Sequence, residues 1–211
     1  MKKILVGDFR IGEEEKKAIN AVLDSGRISE GMKTREFETR FAEFIGTKHA
    51  VALSSGTSAI IAGLTALHHH PEHHIKKSTK VITTPLTYIA TSNAIVLSGF
   101  EPVYVDIEPT TFLITTENIR ACLEEAKNPE EYSVVLPVHL MGYACDMEGI
   151  SKVAKDFGLL TFEDSAQAHG TLYKGRKTGS LSLLADFSFY IAHNIQAGEM
   201  GAITTDDAVI A

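Results

Sequence analysis

The stretch Ala50-Val51-Ala52-Leu53-Ser54-Ser55-Gly56-Thr57-Ser58, continued by a helical pattern to Leu67, sets the frame for the whole chain. Its first four residues form a short β-rich apolar run, and a serine-glycine turn then opens a helix over 58–67. The same alternation recurs downstream. β-rich runs fall at 80–84, 103–107, 134–139, 159–163, 186–190 and 202–205. Helical patterns separate most of them, including 117–126 and 147–157, the latter behind Asp146 as N-cap. Upstream, 13–25 reads as a helix with Ile19, Val22 and Leu23 on one face and Gly26 as its stop. Phe37, Phe41, Phe44 and Ile45 mark a second helix, ended by Gly46. About seven strands separated mainly by helices predict a three-layer α/β/α sandwich around a mainly parallel sheet covered on both faces. Ligands of such sheets collect at the carboxyl ends of the strands.

Composition bounds the function. The 211 residues are 44% apolar and 22% charged, an ordinary globular balance able to bury a core. Twenty Lys and Arg against 27 Asp and Glu leave a net charge of −7, which argues against coating nucleic acid or anionic membrane. The longest apolar stretches, such as 59–67, fall short of the ~20 residues that span a bilayer. Met1-Lys2-Lys3-Ile4 runs quickly into Asp8, Arg10 and Glu13-Glu14-Glu15, so no signal peptide is expected. Cys122 and Cys145 cannot build a disulfide framework. These features predict a soluble, cytoplasmic chain. One biased patch, His68-His69-His70-Pro71-Glu72-His73-His74, holds five of the nine histidines. Pro71 breaks the helix that would align metal ligands, which favours a solvated loop.

The strand ends carry the chemistry. Gly56 and Thr57 stand where backbone N–H groups and a helix dipole suit a phosphate, although a plain capped turn explains them too. Tyr88, after the second strand, is either a stacking platform for a flat ring or a core aromatic. Asp164 closes the fifth strand, where a buried carboxylate needs a cationic partner such as a protonated heterocyclic nitrogen; a capping role with Ser165 is the alternative. Ser188 and His193 follow on the sixth strand and its loop, a hydroxyl and then an imidazole, before Gly198-Glu199-Met200-Gly201.

Together these residues make a resemblance plain. Ser55-Gly56-Thr57-Ser58-Ala59, Glu163-Asp164-Ser165-Ala166-Gln167-Ala168-His169-Gly170 and Phe187-Ser188-Phe189-Tyr190 resemble the sugar-nucleotide aminotransferases of the DegT/StrS type, members of the fold-type-I pyridoxal-phosphate enzymes. Val138-His139-Leu140 and Asp146-Met147 extend the match, which is collinear from about Gly12 to Asp207. The resemblance implies that Gly56, Thr57 and Ser188 hold the phosphate of pyridoxal or pyridoxamine 5'-phosphate. It further implies that Tyr88 stacks on the ring, Asp164 pairs with the ring nitrogen and Gln167 lies beside the ring hydroxyl. The strand at 202–205 is then the antiparallel member of the sheet.

One departure decides the chemistry expected. Where the family's aminotransferases carry the lysine that binds the cofactor covalently, this chain has His193. Imidazole cannot make that bond, but its ordinary pKa of about 6.5 suits a general base. The same replacement characterises the family's 3-dehydratases of 4-keto-6-deoxy nucleotide sugars, and Tyr190-Ile191-Ala192-His193-Asn194-Ile195 resembles them. So, weakly, does the long spacing from Leu67 to Val81. Gln167 resembles the aminotransferase pattern instead. The implied activity is dehydration of a nucleotide-linked keto sugar in cell-surface polysaccharide or deoxysugar biosynthesis. The alternatives are transamination with a donor such as glutamate, or a catalytically inactive paralogue. Family members continue with a C-terminal small domain and pair as homodimers, so residues 1–211 read as the cofactor-binding large domain, an N-terminal fragment of a longer enzyme.

Overall fold

The computed structural model describes residues 10–211; the amino-terminal residues considered above for a leader lie outside them. The chain begins with α1 (Glu13–Asp24) and α2 (Met32–Ile45), then alternates through β1 (His49–Leu53), α3 (Gly56–His69), β2 (Lys80–Thr83), α4 (Ile89–Leu97) and β3 (Glu101–Tyr104). It continues with α5 (Thr116–Glu125), β4 (Tyr132–Val135), α6 (Met147–Asp156) and β5 (Leu160–Asp164). A small hairpin, β6 (Leu172–Tyr173) and β7 (Arg176–Lys177), precedes β8 (Leu184–Ser188) and β9 (Gly201–Thr205).

Seven strands form one sheet in the order β1-β9-β8-β5-β4-β2-β3. Neighbours from β8 through β5, β4 and β2 to β3 pair in parallel, and β9 runs antiparallel to both β1 and β8. Strand alternation sends successive residues to opposite faces. Leu184 of β8 and Phe162 of β5 pack with Ile60, Leu64 and Leu67 of α3 and with Ala94 and Ile95 of α4. On the other face Ala185 and Phe187 pack with Phe41 and Ile45 of α2, while Ile82 and Val135 pack with Ile119 of α5 and Ile150 of α6. The expected three layers are present. Helix α1 buries no side chain and leaves Ile19 and Leu23 exposed.

Three expectations are corrected. The strand expected at 134–139 lies at Tyr132–Val135; Pro137 lacks an N–H, and beyond it the pairing continues only as an isolated bridge between Val138 and Asp164. The strand expected at 186–190 lies at Leu184–Ser188. The histidine patch is not simply a solvated loop. Helix α3 runs to His69, and His70, 3% exposed, accepts the N–H groups of Glu72 and His73 on Nδ1 at 3.1 and 2.9 Å. Its Nε2 lies 3.2 Å from Asp207. Among the described residues no cluster of His, Cys, Asp or Glu is arranged to hold a metal, and no helix is long and apolar enough to cross a membrane.

Candidate functional site

A cavity of about 490 Å³ opens at the carboxyl ends of β5 and β8, where α3 begins. Gly56, Thr57, Tyr88, Asp164, Gln167, Ser188 and His193 all line it. The fold thus brings every residue singled out above to one place.

Each wall has a local cause. Ser55 caps α3 by accepting the Ser58 N–H on its hydroxyl at 3.1 Å. The first-turn N–H groups of Gly56 and Thr57 have no intrahelical acceptor, so they and the helix dipole are available to an anion. Helix α3 reaches the sheet here only because position 56 lacks a Cβ, which would stand 2.6 Å from the Ser188 Cβ. The Ser188 hydroxyl is thereby set against the start of the helix. Tyr88, at the head of α4, is 68% exposed, which removes the core-aromatic reading.

Asp164 is 4% exposed, and no helix follows it to cap. Its Oδ2 accepts the Thr91 hydroxyl at 2.8 Å and its Oδ1 the Ala166 N–H at 3.2 Å. Burial pushes this carboxyl up, while the two donors and the His139 ring pull it back toward ionisation. Gln167 accepts the Met141 N–H on Oε1 at 2.7 Å, which leaves its NH₂ as the donor it can offer the cavity. His193 sits on the loop after β8, with its ring centroid 6.0 Å from Tyr190 and 6.5 Å from His169. Burial lowers its pKa below the ordinary imidazole value, which favours the neutral form that accepts a proton. His169 packs between Phe187 and Phe189, and burial, aided by His193, lowers it to about 4.

Behind this wall, on the opposite face, His139 accepts the Cys145 N–H on Nδ1 and so donates from Nε2 to Glu163 at 2.9 Å. Glu163 also takes the N–H groups of Gly179 and Leu181 and the Ser182 hydroxyl. That network anchors the segment leading into β8. Sequence reasoning missed two cavity residues: Thr91, which orients Asp164, and Asp186, a buried acid in β8. The signal for Asp186 was an acid within an apolar strand, in phase with Ser188.

Residues 10–211 match the DegT/DnrJ/EryC1/StrS aminotransferase family. The chain belongs to this family. Among DegT/StrS relatives it is 42% identical over 201 residues to the spore coat polysaccharide biosynthesis protein SpsC of Bacillus subtilis, covering 95% of this chain and 49% of that protein. The aminotransferase structure from Psychrobacter cryohalolentis superposes with a TM-score of 0.86 at 36% identity, over 95% of this chain and 49% of that one. The E. coli GDP-4-keto-6-deoxy-D-mannose-3-dehydratase with bound hydrated PLP superposes with a TM-score of 0.88 at 28% identity, over 97% and 51%. The chain spans about half the length of the curated relatives it matches.

The cavity's chemistry fits a phosphate-bearing, protonated heterocycle. It offers a helix N-terminus kept open by a glycine, hydroxyls from Thr57 and Ser188, and a buried carboxylate at the far wall.

Proposed function

We propose that this chain is the cofactor-binding domain of a cytoplasmic pyridoxal- or pyridoxamine-phosphate enzyme that acts on a nucleotide-linked 4-keto-6-deoxy sugar, with 3-dehydration as its reaction and His193 as the base. Gly56, Thr57 and Ser188 hold the phosphate, Tyr88 covers the ring, Asp164 keeps the ring nitrogen protonated and Gln167 addresses the ring hydroxyl. Pyridoxamine phosphate supplies an amine for the 4-keto carbon and a protonated ring that withdraws electrons. With that group bound, His193 would take a proton from the cofactor's methylene carbon and could return it to the carbon-3 hydroxyl, which would leave as water. The observation that carries this reading is a half-buried imidazole on the wall that Asp164, Thr57 and Ser188 complete.

Transamination with glutamate is the second reading. It is favoured by 36% identity to the aminotransferase structure, against 28% for the dehydratase. The substrate partner in either case is a nucleotide sugar, and a second copy of the chain is the expected macromolecular partner. Ile89 and Val96, seven residues apart on α4, leave apolar surface exposed for it.

The readings separate on His193→Asn. With pyridoxamine phosphate and a nucleoside-diphosphate-linked 4-keto-6-deoxy sugar, loss of the carbon-3 hydroxyl should fall by roughly 10²–10⁴-fold while cofactor affinity is retained. Glutamate-dependent amination with no 3-deoxy product would establish the second reading. Undiminished turnover in the variant would make His193 a packed residue.

A further inference from the structure

Asp186 lies within β8, fully buried, and neither carboxylate oxygen has a hydrogen-bond partner among the described residues. In the parallel register its neighbour on β5 is Asp164. Side chains paired in register on adjacent strands leave the same face of the sheet, and the strands lie about 4.8 Å apart. Both of these line the cavity. Two ionised carboxylates so placed would carry two buried like charges, which is costly without a cation. Among the described residues no Lys or Arg lines the cavity. The surroundings divide the pair: Asp164 receives the Thr91 and Ala166 donors that suit a carboxylate, and Asp186 receives none.

We propose that Asp164 and Asp186 form a carboxyl dyad that carries one proton, with Asp186 as the protonated member, so that Asp186 positions Asp164 as the single charge offered to a cationic ring nitrogen. The dyad itself stands on the geometry; its use toward a ring nitrogen rests on the role proposed above for Asp164. A protonated Asp186 contributes an O–H whose in-register neighbour is the Asp164 carboxylate. Burial and the Asp164 charge, with a smaller push from Glu163, move the Asp186 carboxyl well above the ordinary range. The other ionisable groups of the cavity are His193, Glu199 and Tyr190 on the loop after β8 and Tyr88 at the head of α4. Helix α3 and strand β9 contribute none.

The pH sign follows from linkage. A carboxyl protonated in the fold but ionised in the unfolded chain adds stability that is complete below the unfolded value, about 3.9. That contribution is lost as pH rises through the raised folded value.

The test compares the ligand-free chain with Asp186→Asn, and with Asp186→Ser should the first not fold. Infrared difference spectra at neutral pH should show a protonated carboxyl in the wild type that the variant lacks. Urea unfolding should show the wild type losing stability relative to Asp186→Asn as pH rises from about 4. Asp164→Asn should move the Asp186 titration to lower pH, because the charge that raises it is gone. A wild type with no protonated carboxyl, or a titration unmoved by Asp164→Asn, would overturn the dyad. Pyridoxal phosphate titration then reads its use. Asp186→Asn should bind within about threefold of wild type, and Asp186→Ala about tenfold more weakly, the scale of one hydrogen bond to a charged group. Equal affinity in Asp186→Ala would overturn the positioning role. A dyad signal in a wild type that binds neither pyridoxal nor pyridoxamine phosphate would overturn the role of Asp164 and leave the dyad intact.

Discussion

At position 56 the absence of one carbon joins two elements. A Cβ built there meets the Ser188 Cβ at 2.6 Å and its hydroxyl at 3.1 Å, so α3 and β8 can approach this closely only through glycine. Gly56→Ala should lift the helix start off Ser188 and cost about 1–3 kcal/mol by overpacking, read from urea unfolding. The same variant should weaken pyridoxal phosphate binding by about tenfold or more, since its phosphate donors move with the helix. Unchanged affinity would place the phosphate elsewhere. Gly56, Thr57, Asp164, Ser188 and His193 were legible in the sequence because each follows or ends a recognisable strand. Tyr88 by itself read as core and joined the site only through the family resemblance; its 68% exposure and its place in the cavity lining exclude the core reading. Thr91 escaped because its use depends on a hydrogen bond to a residue 73 positions away. Asp186 escaped because strand patterning places a side chain on a face without saying whether an acid there finds a donor.

At the scale of elements, local chemistry explains both the successes and the errors. Helix α6 was readable from its start signal: Asp146 accepts the Gly149 N–H on Oδ1 at 3.3 Å and also the Tyr173 hydroxyl. Asp146→Ala should cost about 1 kcal/mol, the usual worth of an N-cap, and lower Tm by roughly 2–4 °C. No change in Tm would mean that the cap carries nothing. The β6–β7 hairpin was not readable. Its two-residue turn places Lys174 at φ 49° and Gly175 at φ 83°, a conformation usually announced by Asn-Gly or Asp-Gly. Lysine in the first of those places hid it. A strand end was missed where the ladder thins to an isolated bridge while the apolar run continues, as around Pro137.

At the scale of the whole molecule, the sheet order does what no local pattern can. The start of α3 lies far ahead of β5 and β8 in the chain, yet the sheet brings Asp164, Ser188 and the His193 loop to it. The alternation of strands and helices pointed to that architecture and the family resemblance implied an antiparallel β9, but the order β1-β9-β8-β5-β4-β2-β3 came from the structure. We propose that this cavity takes pyridoxal or pyridoxamine phosphate without a covalent bond, because the family resemblance implies that His193 stands where the aminotransferases have lysine. That proposal is tested by incubating the chain with pyridoxal phosphate, dividing the sample between dialysis and borohydride, and mapping any adduct by mass spectrometry. The wild type should bind, lose the cofactor on dialysis and carry no adduct in the cavity, whereas His193→Lys should acquire one at position 193 together with visible absorbance. Failure of the wild type to bind, or an adduct on Lys174 or Lys177, would contradict the account.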